Sequence, residues 1–297
     1  MYDCIIIGAG IAGMTASIYL KRANKKVLII EKETIGGQIA SSPLVSNYPG
    51  FTNISGPELV SNIYDQVVNL DIPLEIEEVK SIVDGKVKKV ITDYNTYETK
   101  TIIIATGAKY RRLNLPNEEI LIGNGIHFCV TCDGAFYKNK TVAVIGGGNT
   151  ALINALALSD ICNTVYLVQN LKDLTGEIVL QEKIKAKENI KVLTSSVVKK
   201  INGEEALESI TIEKENNEET LKLHGMFISI GLVPQNEIFK DIIKLDKNNY
   251  ISSVDCKTNI NGIFVSGDCR TKEFRQLTTA SSDGTISALY VIDYLNR

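Results

Sequence analysis

The strongest constraint on this 297-residue chain is the run Gly8-Ala9-Gly10-Ile11-Ala12-Gly13, met directly after Tyr2-Asp3-Cys4-Ile5-Ile6-Ile7. A near-continuous apolar strand of this kind suits a parallel sheet buried on both faces. Met14 to Leu20 then follow a helical pattern. Strand, GxGxxG and helix together make a dinucleotide-binding turn. Gly8 permits the tight bend, Gly10 lets the backbone approach a pyrophosphate, and Gly13 lets helix pack on strand. The phosphates of such a ligand sit at the positive end of the helix. The next strand, Lys26 to Ile30, ends in Glu31, whose carboxylate can accept hydrogen bonds from both hydroxyls of a ribose.

The unit then repeats. Thr141 to Ile145 form a strand, Gly146-Gly147-Gly148-Asn149-Thr150-Ala151 a GxGxxA turn, a helix runs to about Ser159, and a further strand spans Thr164 to Val168. Twenty-three positions separate Gly8 from Glu31, and twenty-three separate Gly146 from Gln169, so the copies can be read position against position. Where the first copy has an acid, the second has Gln169-Asn170-Leu171. An NAD site wants a carboxylate for the 2′-hydroxyl and an NADP site wants arginines for the 2′-phosphate. Gln169 with nearby Lys172 restores neither, and the second unit reads either as a degenerate nicotinamide site or as scaffold.

Between the copies lies His127-Phe128-Cys129-Val130-Thr131-Cys132-Asp133-Gly134. Two cysteines three apart favour reversible thiol–disulphide exchange. Asp133 could move a proton to or from a thiolate during disulphide cleavage, or simply occupy the turn before Gly134. His127 reads as a packed or solvent-facing residue. A zinc site would want two more ligands, whereas Cys4, Cys162, Cys256 and Cys269 stand alone and only His127 and His224 are available, so no metal is expected. The isolated cysteines read as small buried apolar residues.

Composition bounds the rest. With 44% apolar and 23% charged residues and a net charge of −3, the chain reads as a globular protein without general attraction to nucleic acid or anionic membrane. The first apolar run lacks a basic flank and no stretch approaches a membrane span, so a cytoplasmic location is expected. In such a reducing setting a close cysteine pair is redox-active rather than structural. Alternating segments with charged turns from Ile190 to His224 predict a β-meander beside the second sheet.

In this order the landmarks resemble the low-molecular-weight bacterial thioredoxin reductase family over essentially the whole chain: GAGIAG (8–13), EKETIGGQ (31–38), NYPGF (47–51), ATGAKYRRL (105–113), FCVTCDGAFY (128–137), GGGNTA (146–151), FISIGLVPQN (227–236), GIFVSGDCR (262–270) and RQLTTASSDG (275–284). The resemblance implies an α/β protein with two Rossmann-like dinucleotide-binding domains. A discontinuous FAD-binding domain (1–111 and 236–297) would receive an inserted, NADPH-domain-like redox domain (112–235) carrying CxxC. Gly8, Gly10 and Gly13 would cradle the FAD pyrophosphate, Ala12 would bind the cofactor beside them, and Glu31 would hold the adenosine ribose. Gly37, Gln38 and Asn47 would approach the flavin side, and Ala105, Thr106 and Gly107 would also bind the cofactor. Asp268, after Gly267, would reach the ribityl chain. Gln276 and Leu277 would open the last helix, whose N-terminus faces the flavin.

One departure is marked. The family's HRR motif falls at Gln169-Asn170-Leu171 and its further arginine at Thr175. The same loss marks the ferredoxin-dependent flavin thioredoxin reductases, which this chain resembles most. The implied reaction has reduced ferredoxin feeding FAD, the flavin reducing the Cys129–Cys132 disulphide at Cys132, Asp133 managing the proton, and Cys129 attacking oxidised thioredoxin. A domain rotation and a homodimer come with the resemblance. An NADPH-dependent thioredoxin reductase with a variant phosphate site is the alternative, as is a flavin redox sensor with an unknown donor.

Overall fold

Alternation along single strands decides the first layer. In Tyr2–Ile7, Cys4 and Ile6 face one side and Ile5 and Ile7 the other, all fully or nearly fully buried. A strand buried on both faces must sit inside a sheet covered on both sides. The computed structural model describes residues 1–42 and 44–297, Ser41 by its backbone only, and the chain divides into two compact units: Met1–Lys109 with Val233–Arg297, and Tyr110–Leu232.

The first unit is built on a seven-stranded sheet. Its order runs Leu74–Ile76, Val27–Glu31, Tyr2–Ile7, Thr96–Ile104, Lys88–Thr92, Val79–Val83, with Ile263–Val265 also paired to Thr96–Ile104. The strands around Tyr2–Ile7 are parallel, in the register Ile7↔Ile30 and Ile7↔Ile104, so their C-terminal ends line up. Cys4, Ile6, Ile29, Ile103 and Phe264 pack on one face with the helices Ile11–Arg22, Gly56–Asn69 and Leu277–Leu295. Ile5, Ile7, Leu28, Ile30, Ile102 and Val265 form the opposite core with Phe239 and Ile243. The outer helices lie close: a Cβ at Gly284 would be 2.3 Å from the Ala12 carbonyl oxygen, so glycine there sets the approach of the last helix to the first.

The second unit repeats the scheme on a five-stranded parallel sheet in the order Ile190–Leu193, Thr164–Val168, Thr141–Ile145, Gly225–Ile228, Ile126–His127. Val142, Val144, Val165, Leu167 and Phe227 meet the helix Asn149–Ser159 through Ala151, Leu152, Ala155 and Leu158. Ala143, Ile145, Met226 and Ile228 meet the antiparallel meander of Val197–Asn202, Ser209–Lys214 and Asn217–Lys222. The meander is shorter than its sequence pattern predicts. Ile190–Leu193 leaves it and joins Thr164–Val168 in parallel, because the helix Ile178–Lys185 completes a strand–helix–strand crossover there. Among the described residues no helix is long and apolar enough to cross a membrane.

Candidate active site

At the first glycine turn the three glycines are glycines for different reasons. Gly8 has φ +113°, and a Cβ there would lie 2.3 Å from the Ala105 carbonyl oxygen. At Gly13 a Cβ would lie 2.0 Å from the Gly8 oxygen. Both are demanded by the protein's own packing. Gly10 is not: its φ of −72° suits any residue and nothing lies within 4 Å of where its Cβ would be. It also opens the helix Ile11–Arg22 without a side-chain cap, so no capping side chain satisfies the first helical N–H groups. That combination fits an incoming anion whose approach needs a bare backbone.

The neighbouring elements converge on the same place. Glu31 accepts the Ala9 N–H through Oε2 (2.8 Å) and the Glu33 N–H through Oε1 (2.9 Å), which leaves further lone pairs for ribose hydroxyls. The Gly36 N–H donates to the Ala9 oxygen (2.8 Å), and Gly37, at φ +58°, has only the Gly10 Cα near its Cβ position, at 3.9 Å. Gln38 donates to the Ala108 carbonyl. Ala105 bonds the Ile7 oxygen (2.8 Å), and Gly107, at φ +67°, faces open space. Gly267, at φ +77°, would press a Cβ within 3.0 Å of Ala12. Asn47 is exposed, in the loop that the Val45–Ile54 pairing closes. Gln276 precedes Leu277 at the start of the last helix and gives its N–H to Thr279 Oγ1 (3.1 Å).

Asp268 is the most telling residue of this set. Its Oδ1 is buried without a hydrogen-bond partner among the described residues, and burial raises its carboxyl above the usual range against the opposing pull of Lys272 and Arg275. A buried carboxylate oxygen left unpaired is costly unless a ligand completes it. The open backbone at Gly10, Gly37 and Gly107, the spare lone pairs of Glu31 and the orphaned Asp268 oxygen together fit a bound dinucleotide.

Two residues to which sequence reasoning assigned no role hold this cradle. Asn236 is fully buried; its Oδ1 accepts the Thr106 hydroxyl (3.1 Å) and its Nδ2 donates to the carbonyls of Asn249 (2.9 Å) and Cys269 (2.7 Å). Asp283 accepts the Gly267 N–H (3.0 Å), Arg270 through Nε (2.9 Å) and Nη2 (2.7 Å), and Lys272 (2.9 Å). Burial opposes its ionisation, and the two cations overcome it, holding Asp283 below the usual carboxylate range. Asp283 has a faint sequence signal: it is an acid beside Gly284 on the small-residue face of the last helix, next to buried Ala280, Ser287 and Ala288.

The second glycine turn differs in kind. A Cβ at Gly147 would lie 2.5 Å from Gln169 Cδ and Nε2, because the Gln169 side chain, 5% exposed, lies over the turn and donates to the Asp173 carbonyl (3.4 Å). The N–H groups of Thr175 (2.8 Å) and Gly176 (3.0 Å) both donate to the Gly147 oxygen. Asn149 receives the Glu177 N–H (2.7 Å) and donates to the Glu177 carboxylate (3.0 Å) at the start of the second helix. The segment after Gln169 is thus laid against the turn.

In the same unit Cys129 and Cys132 are disulphide-bonded, with Cα atoms 5.3 Å apart. Cys129 is extended and Val130–Asp133 form one helical turn, in which the Cys132 N–H donates to Cys129 Sγ (3.2 Å) and the Asp133 N–H to the Cys129 oxygen (3.0 Å). Asp133 is mostly buried, its Oδ2 3.3 Å from His127 Nδ1. The other four cysteines are buried; desolvation pushes Cys4 and Cys256 up to about 12 and Cys162 and Cys269 up to about 11, which leaves them unreactive. The Phe128 ring is stacked on Tyr110 (4.8 Å) with the Arg112 guanidinium 4.8 Å from its centre.

The family model described as pyridine nucleotide-disulphide oxidoreductase matches residues 2–284. A 34.2 kDa protein in the rubredoxin operon of Clostridium pasteurianum is 41% identical over 99% of this chain and 97% of its own. A thioredoxin reductase of Bacillus subtilis is 36% identical over the whole chain and 96% of its own length. The crystal structure of thioredoxin reductase from Streptococcus pyogenes superposes with a TM-score of 0.96 at 38% identity, covering 100% of this chain and 98% of that one.

Proposed function

Since the chain belongs to the pyridine nucleotide-disulphide oxidoreductase family, with thioredoxin reductases among its relatives, we propose that it reduces oxidised thioredoxin through FAD and the Cys129–Cys132 pair. The observation that carries this reading is a complete dithiol turn, with an acid beside it, in a chain whose first glycine turn is open for a dinucleotide. Bound FAD supplies a two-electron centre able to reduce the disulphide. In this reading the uncapped helix behind Gly10 holds the pyrophosphate, Glu31 the ribose and Asp268 the ribityl chain. The Cys132 N–H stabilises the sulphur of Cys129 as a thiolate, which attacks the thioredoxin disulphide; Cys132 then resolves the mixed disulphide and Asp133 takes its proton.

For the electron donor we favour reduced ferredoxin. Gln169 lies over Gly147, and Asn170, Leu171 and Thr175 provide no cation for a 2′-phosphate, which supports a donor other than NADPH. One relative's description as a protein in a rubredoxin operon sits with a small electron-carrier protein as donor. NADPH is the second reading, favoured by the pyridine nucleotide in the family's description and by relatives named thioredoxin reductase. Anaerobic titration separates the two. Stoichiometric NADPH should leave the flavin absorbance intact while reduced ferredoxin bleaches it and thioredoxin becomes reduced. Rapid bleaching by NADPH would replace the donor. Thioredoxin left oxidised under both donors would refute the function.

A further inference from the structure

Behind the dithiol lies a buried polar chain that the reaction described so far does not use. His127 is 6% exposed, Tyr137 7%, and Phe227, whose ring contacts both, 0%. Their placement is built into the strands. His127 pairs in register with Phe227, whose ring stacks on the imidazole at 5.4 Å, and a Cβ on Gly225 would lie 2.3 Å from Tyr137 Cε1, so that glycine makes room for the phenol. His127 Nε2 and the Tyr137 hydroxyl are 2.6 Å apart, while Nδ1 faces Asp133 Oδ2 at 3.3 Å. Lys140 lies over the Tyr137 ring at 5.3 Å, and the Cys162 thiol bonds the Tyr137 carbonyl at 3.1 Å. Asp133, Tyr137, Lys140 and the Cys162 thiol are titratable groups in contact with the imidazole–phenol pair.

Building on the dithiol reading above, we infer that His127, backed by Tyr137, is a positioning residue that holds Asp133 beside the dithiol and stores the proton Asp133 removes from Cys132. With imidazole neutral as the Nε2–H tautomer, Nε2 donates to the phenol oxygen and Nδ1 faces Asp133 as the acceptor of its proton. With imidazole protonated, both ring N–H groups have an oxygen to face. The extra proton therefore lands on Nδ1, between the imidazole and Asp133 Oδ2, and the Nε2–phenol bond is the same in both states. The phenol itself keeps its proton throughout: burial first, and then the Asp133 charge, push Tyr137 up to about 12.

The balanced step is the second half of disulphide exchange. Cys129 is joined to a substrate sulphur and Cys132 is a thiol. Asp133 takes the Cys132 proton and passes it to His127. The Cys132 thiolate attacks Cys129 Sγ, so that the Cys129–Cys132 bond forms, the Cys129–substrate bond breaks, and the substrate leaves as a thiolate. The proton held on His127 returns to that thiolate or to water. No outside oxidant or reductant enters.

Holoenzyme reduced with dithiothreitol, desalted and mixed with 5,5′-dithiobis(2-nitrobenzoate) reads this step directly. The first coloured thiolate reports attack by Cys129 and the second reports resolution by Cys132. D133N should slow the second release about a hundredfold, H127F about tenfold, and the H127F/D133N double variant no more than D133N alone, since His127 acts through Asp133. Y137F should move the pH profile of the second release with the first unchanged. Multiplicative effects in the double variant, or an unmoved pH profile in H127F, would overturn the inference. If H127F loses its fold, H127Q and Y137F decide: a wild-type profile in both rejects the relay. No thioredoxin is present, so a chain that never reduces thioredoxin would still give this pattern if the relay exists.

Discussion

The Glu31 carboxylate accepts the Ala9 backbone N–H at 2.8 Å, tying the end of the second strand to the first glycine turn. This bond fixes the acid where a ribose would meet it and holds the turn open. At the matching position of the second copy, Gln169 instead folds its amide over Gly147. One substitution of acid by amide, in otherwise equal frames, thus separates a turn that presents its backbone from one that is covered by its own chain.

Gly10 and Gly13 should respond to alanine in opposite ways. Gly13→Ala sets a Cβ 2.0 Å from the Gly8 oxygen, so the turn must shift, at a cost of about 2–3 kcal/mol. Gly10→Ala meets nothing within 4 Å and its φ of −72° is ordinary, so apoprotein stability should stay within about 0.5 kcal/mol of wild type. Its methyl would nevertheless stand where the pyrophosphate approaches, and FAD affinity should fall at least tenfold. Thermal melts of the apoprotein and fluorescence titration with FAD measure the two effects separately. A G10A protein that binds FAD normally would remove the turn from the cofactor site.

Asp283 and Asp268 should shift stability in opposite directions with pH. Burial disfavours the Asp283 anion, but Arg270 and Lys272 outweigh it, and the folded value is depressed. Its stabilisation is therefore full above the unfolded aspartate value of about 4 and is lost as pH falls through the lower folded value. Asp283→Asn should cost about 3 kcal/mol near neutral pH, with the gap to wild type closing in acid. Asp268 is raised by burial, so its ionised form penalises the folded apoprotein at neutral pH. Asp268→Asn should raise the apoprotein melting temperature near neutrality and lose that gain in acid, while weakening FAD binding. Melting curves across pH check both signs. An apoprotein destabilised by D268N at neutral pH would mean that the orphaned carboxylate has a partner in solution.

How much of this was legible in the chain depends on where the partners lie. Gly13 is legible because its close contact, with the Gly8 oxygen, lies within one strand–turn–helix unit; Gly8 and Gly146 because the turn itself sets a positive φ, although their close contacts lie at Ala105 and Ser229; and the long helix Leu277–Leu295 because its period is sustained. Asn236 and Asp283 are not, since what they hold lies across the fold: Asn236 bonds Thr106, 130 positions away. His127 reads as a packed residue and is one, at 6% exposure; its contact with Asp133 is invisible until the strand Ile126–His127 and the turn after Cys129 are folded on each other. Ile190–Leu193 shows the limit of alternation, which marks a strand without choosing its sheet.

The cysteines give the last prediction. Cys129 is the sulphur that accepts a backbone N–H, from Cys132 at 3.2 Å, and hydrogen bonding to the charged form favours the thiolate. The four remaining thiols are buried, with values pushed up to about 11 or 12. In the native reduced protein, iodoacetamide should therefore modify Cys129 first, and Cys4, Cys162, Cys256 and Cys269 only on unfolding. Cys132→Ser removes the resolving thiol and leaves that attacking sulphur in place, so it should accumulate a mixed disulphide with a protein substrate, visible on a non-reducing gel and cleared by dithiothreitol. Cys129→Ser should trap at least tenfold less, since Cys132 acts in the second step. Peptide mass mapping of the alkylated protein identifies the reactive sulphur independently of any partner. Equal trapping by the two variants, or first alkylation at Cys132, would reverse the order of attack assigned to the pair.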